Sequence, residues 1–390
     1  MLKVLAIVPC PRVFGLQITT LRFFERFSGK VQSHFLVTRW TDGEFSRRLD
    51  ELSIPYTYSW FGMFSRKLDW VNLKTTIHCL VKLPRLYVDF VRLIRSYRPD
   101  VIYTAGYHEL ILLWPVLLLL HIPVVYHVRN PLPLERFYRW SFLFWGANVN
   151  HYIAVSHSVG STLSKLGVDS RSISLLYNGV DVSQFQPVQK RSPCFVERYG
   201  WPDAAVIVGM TGQMNEAKGH YDFLQAARVV HEKHPEVRFV IGGKQEGSYF
   251  RRLQEQVAEH NLGKIVAFSG WQDDMRSFYS GVDVFVLPSG QDTEGLPRVI
   301  AEAMASGLAV VATRSGGAGE IVENGKTGIL VERQSPHQLA GAIESLVTSP
   351  TRRTCMGKAG RLRVEQFFDL SKQTGELERI LKGMPKVRNQ

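Results

Sequence analysis

Ser289-Gly-Gln-Asp-Thr-Glu294-Gly-Leu-Pro297-Arg-Val-Ile-Ala-Glu302-Ala-Met-Ala-Ser-Gly307 is the stretch on which the reading of this chain turns. It places two carboxylates, Glu294 and Glu302, eight positions apart across a junction between loop and helix. Pro297 suits a first helical residue, because its fixed φ is helical and its missing N–H is not needed there. Val299 to Ser306 can then run as a short helix that Gly307 ends in the left-handed conformation. Glu294 falls on the loop before this helix and Glu302 roughly a turn and a half inside it. Between the two acids lies the helix N-terminus, with free amides and a positive dipole end. Such a corner fits a sugar nucleotide. One carboxylate can accept from sugar hydroxyls and the other from a ribose diol, while the amides face a diphosphate.

Outward from this corner the chain alternates short apolar runs with helical patterns, which predicts α/β architecture with parallel sheets. Expected strands are Lys3–Val8, His34–Val37, Val101–Thr104, Val124–Val128 and Tyr152–Val155 in the first half. The second half repeats the scheme with Val206–Met210, Val237–Ile241, Ile265–Phe268, Val284–Leu287 and Ala309–Thr313. Its helices are expected at His220–Glu232, Tyr249–His260 and the site helix. At 390 residues two domains of ordinary size are expected. The proline-bearing segment 186–204 reads as the linker, giving domains over 1–190 and 191–369 and a terminal helix and tail over 370–390. Two Rossmann-like halves imply a cleft, with ligands at the carboxyl ends of the strands.

The Glu294–Glu302 segment resembles the Glu-x7-Glu signature of the retaining glycosyltransferases of family four (glycosyl transferases group 1), which have the GT-B fold. The likeness extends to Ala154-Val-Ser156, Leu175-Leu-Tyr-Asn178-Gly-Val-Asp181 and Phe185-Gln-Pro187, and is most secure after residue 150. It implies two Rossmann-like domains facing each other across a cleft, with the terminal helix crossing back to the first. It also implies transfer of a sugar from a nucleoside-diphosphate donor to an acceptor hydroxyl, as in surface-glycan biosynthesis such as lipopolysaccharide or capsule. Two other readings stay open: a sugar-nucleotide epimerase on the same scaffold, and a non-catalytic protein that binds nucleotide sugars or glycans.

Met210-Thr-Gly212-Gln213-Met-Asn-Glu-Ala-Lys218-Gly219 leaves a strand, turns on glycine and enters a helix, so Lys218 is well placed for a diphosphate. By resemblance this is the phosphate-binding segment, in which Gln213 stands where an arginine is common. Arg298 either compensates for that lost charge or is a solvated residue at the helix start. Gly295 and Leu296, between the two acids, are carried over as donor-binding positions. So is Gly243, and Trp271 either stacks on the base or packs in the core. Gly15 is the counterpart of a glycine pair near the donor phosphates. After strand Val124–Val128 many relatives place a histidine near the reacting centre. Here His127 and Arg129 share one face of the strand, with Arg129 at the family's histidine position and His108 as a further candidate. An arginine can stabilise phosphate charge but cannot serve as a base.

No metal is expected: no Asp-x-Asp sits at a strand end, so Lys218, Arg298 and the helix starting at Pro297 are left to neutralise the diphosphate. No cofactor is expected beyond the donor itself. The formal charge of +12 is uneven, with 21 basic against 11 acidic residues in positions 1–180 and 26 against 24 thereafter. No nucleic-acid motif accompanies the basic half. Trp60, Phe61, Met63, Phe64 and Trp70, mixed with Arg66, Lys67 and Lys74, read either as an interfacial membrane patch or as a solvated face with core aromatics. A lipid-linked or glycan acceptor and peripheral membrane contact are the expected partners. The four scattered cysteines read as reduced thiols. The start reads as a first strand and the apolar run Leu110–Leu120 is too short to span a bilayer. The expected location is therefore cytoplasmic, on the inner face of the plasma membrane.

Overall fold

The computed structural model describes all residues except 9–12, 14, 62–69, 189, 292–293 and 386–390, and the side chains of 70–75 and 137. The chain divides into two compact units, Met1–Gly179 with Leu370–Gln390, and Val180–Asp369.

The first unit is built on seven parallel strands: β1 (Leu2–Ile7), β2 (Val31–Thr38), β3 (Tyr56–Ser59), β4 (Val101–Thr104), β5 (Val124–Val128), β6 (Val149–Ala154) and β7 (Ile173–Leu175). Their order across the sheet is β3-β2-β1-β4-β5-β6-β7. The crossovers are α1 (Gly15–Glu25), α2 (Glu44–Glu51), α3 (Trp70–Tyr97), α4 (Tyr107–Leu117), α5 (Arg136–Trp145) and α6 (His157–Leu166). The direction of travel reverses after β3. Right-handed crossovers therefore put α1 and α2 on one face and α3 to α6 on the other. Val101–Thr104 and Val124–Val128 are buried throughout, as strands covered on both faces must be.

The second unit has six parallel strands: β8 (Val206–Thr211), β9 (Val237–Gly242), β10 (Val266–Gly270), β11 (Val284–Leu287), β12 (Ala309–Thr313) and β13 (Gly328–Val331). They are ordered β10-β9-β8-β11-β12-β13. Around them lie α7 (Cys194–Tyr199), α8 (His220–Lys233), α9 (Gly247–Glu259), α10 (Met275–Ser280), α11 (Arg298–Ala305), α12 (Ala318–Ile321), α13 (Pro336–Val347) and α14 (Pro350–Phe367). Phe223, Phe239, Leu253, Ile343 and Leu346 are among the residues of its core.

The final helix, α15 (Leu370–Lys382), belongs to the first unit. Its Leu370, Leu377, Ile380 and Leu381 enter the core formed by Val4, Phe24, Phe35 and Tyr103, and it packs beside α1.

Two expectations change. The units part at Gly179 and Val180, so the segment 186–204 lies inside the second unit. There the prolines bound the short α7, whose Phe195 packs on Phe278 with ring centroids 5.4 Å apart. Three strands go beyond the expected set, β3, β7 and β13, each of only three or four residues. Of the expected membrane patch, Met63, Phe64, Arg66 and Lys67 lie outside the described residues, as do the side chains of Trp70 and Lys74. Among the described residues no helix is long and apolar enough to cross a membrane, and no three His, Cys, Asp or Glu side chains come together as a metal cluster.

Candidate functional site

In the second unit the loops leaving β8, β11 and β12, three adjacent strands, are bonded to one another. The amide of Gly290 donates to the Ala217 carbonyl at 2.9 Å, joining the β11 loop to the β8 loop. Thr313 Oγ1 donates to the Ser289 carbonyl at 2.7 Å and Ser315 Oγ to that of Gln291 at 2.5 Å, joining β12 to β11. Two glycines make the fit close. A Cβ on Gly219, whose φ is +72°, would lie 1.8 Å from the Pro288 carbonyl oxygen. One on Gly316, with φ +49°, would lie 1.6 Å from that of Glu294, which also accepts from the Gly317 amide at 3.2 Å. Ser315-Gly-Gly317 thus serves to seat the backbone of Glu294.

On this platform the Lys218 ammonium donates to Glu294 Oε1. The two residues are 76 positions apart in sequence. Ser289 Oγ donates to the same oxygen at 3.0 Å. The stem of Lys218 lies beside Gly212, where a Cβ would meet Lys218 Cγ at 3.4 Å. Gly243 abuts Gly212 from the next strand, its missing Cβ 2.3 Å from the Gly212 carbonyl oxygen. His220 follows at the start of α8, fully buried, with its ring pushed down to about 4 chiefly by that burial.

The helix is as expected within one residue. Pro297 stands just before it as the N-cap residue, and Gly307 follows it with φ +79°. The second acid departs from expectation. Glu302 is only 1% exposed, its Oε1 3.1 Å from Arg298 Nε and its Oε2 accepting from Tyr279 at 3.2 Å. An i,i+4 spacing on one helix face lets Arg298 reach it, so Glu302 is withdrawn from solvent while Arg298 stays partly exposed. Arg298 Nη1 is buried with no hydrogen-bond partner among the described residues. Gly295 and Leu296 are buried, Gln213 is exposed, and Asp292 and Thr293 fall outside the described residues. Trp271 is not core: it is 50% exposed, with Nε1 donating to Asp273 at 3.0 Å.

The first-domain candidates form a separate group. His127 and Arg129 do share a strand face, and that face is the inside of the sheet under α1. His127 is fully buried, its Nδ1 2.8 Å from the Tyr103 hydroxyl and its ring 6.4 Å from that of Phe23. Burial, reinforced by the Arg129 charge, holds its pKa well below the usual histidine value. In this structure it is a buried, neutral residue held by Tyr103. Arg129 is also buried, donating to Asn178 Oδ1 at 2.6 Å, to the Tyr103 hydroxyl at 3.2 Å and to Thr20 Oγ1 at 3.4 Å. These neutral acceptors carry no charge to offset its own. Gly15 opens α1, and no described residue lies within 4 Å of its missing Cβ. His108 is half-buried in the first turn of α4. Beside it Glu109 is buried, with Oε2 lacking a partner among the described residues and a carboxyl that burial pushes up to about 7.

Sequence reasoning missed Ser289, Tyr279 and Tyr103, the hydroxyls that hold Glu294, Glu302 and His127. Ser289 alone had a signal, following β11 directly in Pro288-Ser289-Gly290.

Residues 195–363 match the family model described as glycosyl transferases group 1, and residues 31–184 match that of glycosyltransferase family 4. The chain is 32% identical over 231 residues to the D-inositol 3-phosphate glycosyltransferase of Corynebacterium urealyticum, covering 56% of this chain and 54% of that one. It is 30% identical over 226 residues to the GDP-mannose-dependent alpha-(1-6)-phosphatidylinositol monomannoside mannosyltransferase of Mycolicibacterium smegmatis, covering 56% and 58%. The chain thus spans about half the length of the curated relatives it matches. Among solved structures, HepE of Anabaena in complex with UDP and glucose superposes with a TM-score of 0.84 at 20% identity, covering 98% of this chain and 100% of that one. That likeness is one of fold. With residues 31–184 matched to the family 4 model, residues 195–363 to the group 1 model, and a parallel Rossmann-like sheet in each unit, the chain belongs to the group 1, family four glycosyltransferases.

Proposed function

We propose that this chain transfers a sugar from a nucleoside-diphosphate donor to an acceptor hydroxyl with retention of anomeric configuration. The observation that carries the reading is the Lys218–Glu294 pair, assembled from two distant segments at the carboxyl ends of neighbouring strands. A cation and an acid held on a glycine-tightened platform suit the two ends of a sugar diphosphate.

The donor is read as follows. The diphosphate draws the Lys218 ammonium away from Glu294, and the amides at the start of α11 face the same charge. Glu294, steadied by Ser289, then accepts from hydroxyls of the transferred sugar. Arg298 turns from Glu302 toward the phosphates, which opens Glu302 to the ribose diol. Each acid thus exchanges a cation for a hydroxyl partner. Positive charge from Lys218, Arg298 and the helix dipole stabilises the leaving diphosphate as the glycosidic bond breaks. That leaving group takes the acceptor proton on the same face, so no enzymic base is required, consistent with the buried state of His127. Arg129 remains a candidate for phosphate charge only through a change of its Asn178 and Tyr103 partners.

The acceptor is proposed to be lipid-linked or an anionic glycan at the inner face of the plasma membrane, in keeping with the basic first domain and with the phosphatidylinositol mannoside named for one relative. No cofactor is invoked, and the transfer is proposed to persist in EDTA.

Thermal-shift titration with UDP-, GDP- and ADP-sugars tests the donor assignment, since a bound donor stabilises the fold by mass action. One donor class is expected to raise the melting temperature of the wild type and not of Lys218→Ala. If every sugar nucleotide leaves the wild type unmoved, or shifts both proteins equally, the assignment is wrong.

A further inference from the structure

Helix α5 is apolar on two opposite sides. Tyr138 and Phe142 point inward and are buried. Trp140, Leu143 and Phe144 point outward, with Trp140 64% exposed. A helix apolar on its outer as well as its inner side needs a second apolar neighbour, and among the described residues no core covers this outer side. The exposed aromatics are ordered. Phe144 stacks on Trp140 with centroids 5.5 Å apart and on Trp114 of α4 at 4.9 Å, so the rings form a ladder from one helix to the next. Leu118 and Leu119, just beyond α4, are exposed as well, Leu119 at 79%.

The neighbouring helix carries the same chemistry. α3 packs beside α4 and α4 beside α5 on one face of the sheet. On α3 the exposed stripe Ile77, Leu80, Val81 and Val88 follows helical spacing. Farther along, Arg85, Arg92 and Arg95 are exposed. The single acid of that helix, Asp89, is bonded to Arg85 and accepts from Ser59.

Charge selects the occupant. α5 begins with Arg136, just after its N-cap residue Glu135, and has Arg139 in the same turn. Arg136 opposes the dipole of its own helix, so helix stability does not account for it, whereas Arg139 Nε donates to the Leu166 carbonyl at 3.2 Å at the end of α6. Exposed tryptophan and leucine beside arginines, with acids scarce, match an anionic bilayer surface, where aromatic rings sit at headgroup level and cations pair with phosphates.

We infer that the outer faces of α5 and α3, bridged by the end of α4, dock on an anionic phospholipid surface, with Trp140, Leu143 and Phe144 entering the headgroup–acyl boundary. This rests on the proposed lipid-borne acceptor only for its purpose; the surface itself stands on residues other than those of the donor site.

The test is flotation of the full-length protein with phosphatidylcholine vesicles, with and without phosphatidylglycerol. The wild type is expected to float with the anionic vesicles, less so as salt rises. Trp140→Ser/Phe144→Ser and, separately, Arg136→Glu/Arg92→Glu are each expected to lower partitioning about tenfold or more. Arg136→Glu complements the dipole of α5 and Arg92 is exposed on α3, so a loss of binding by this pair is not a loss of folding. Wild-type protein that stays behind at low salt overturns the inference, as do variants that float like the wild type. So does a concentration-dependent dimer, seen by light scattering, that Trp140→Ser/Phe144→Ser abolishes, since a second copy would then own the face. Thermal shift with the sugar nucleotide is run on every protein. Its absence in the wild type refutes the donor reading and leaves the flotation result standing.

Discussion

Gly316→Ala separates the seating of Glu294 from ordinary backbone strain. The added methyl would stand 1.6 Å from the Glu294 carbonyl oxygen, at a residue whose φ is +49°. Ordinary contact needs more than 3 Å, so the loop holding Glu294 must retreat by roughly 1.5 Å. The left-handed backbone alone costs a non-glycine residue about 1 kcal/mol. Displacing packed backbone adds about 1–3 kcal/mol, giving about 2–4 kcal/mol in all. For a unit of this size that lowers the melting temperature by roughly 5–15 °C. Because reacting groups tolerate little misplacement, transfer should fall about a hundredfold even where the protein is folded. Gly325→Ala is the control: its φ is +81° and nothing lies within 4 Å of the new methyl. It should lose about 1 kcal/mol and keep its activity. Calorimetry and donor turnover on both variants decide the matter. If Gly316→Ala melts and turns over like Gly325→Ala, the close approach to Glu294 does not govern the site.

Lys218→Ala should cost the second unit only about 1–3 kcal/mol, since Glu294 keeps its Ser289 bond, while transfer drops by at least about a hundredfold; urea unfolding and turnover measured together check the split. Tyr279→Phe leaves Glu302 Oε2 without this donor and should cost about 1–3 kcal/mol in a calorimetric scan. Glu109→Gln should show a pH-dependent gain. A carboxyl raised from 4.5 to about 7 in the folded state binds a proton that the unfolded chain has released. Its contribution to stability is full below pH 4.5, falls as pH rises to 7 and stays flat above. The variant's advantage over the wild type should therefore grow across that window by roughly 3 kcal/mol at most, read from paired denaturation curves between pH 4 and 8.

Much of this architecture is legible in the sequence because buried parallel strands read as continuous apolar runs, as Val284–Leu287 and Ala309–Thr313 do. The three strands that go unread are short. β3 and β7 are sheet edges with partly buried residues, and β13 begins at Gly328, where the glycines read as turn chemistry. In the candidate site, sequence pattern picks out Glu294, Lys218 and the helix start between the acids. It does not reveal that Lys218 reaches Glu294, because pairing across 76 residues depends on strand order. Alternation likewise puts His127 and Arg129 on one side of a strand without telling inside from outside. A strand of Val-Val-Tyr-His-Val has no polar face to mark the difference. Glu302 misleads for a related reason: a charged residue next to Arg298 at helical spacing can be neutralised locally and withdrawn from solvent.

The covalent path between the units is doubled. Gly179 lies so close to Leu370 that a methyl there would sit 2.6 Å from its Cα, and one residue farther along Val180 pairs with Asp369. Topologically the second unit is an insert, spliced into the first through two strands of chain running side by side. A ribosome therefore finishes the insert before it supplies α15, the last piece of the host. The sequence 1–179 made alone would lack Leu377, Ile380 and Leu381 and leave Phe24 and Phe35 without that cover, whereas 180–369 is a contiguous segment suited to separate expression. Any dissection of the chain, or repair of a nicked one, has to treat the carboxyl-terminal helix as part of the amino-terminal half.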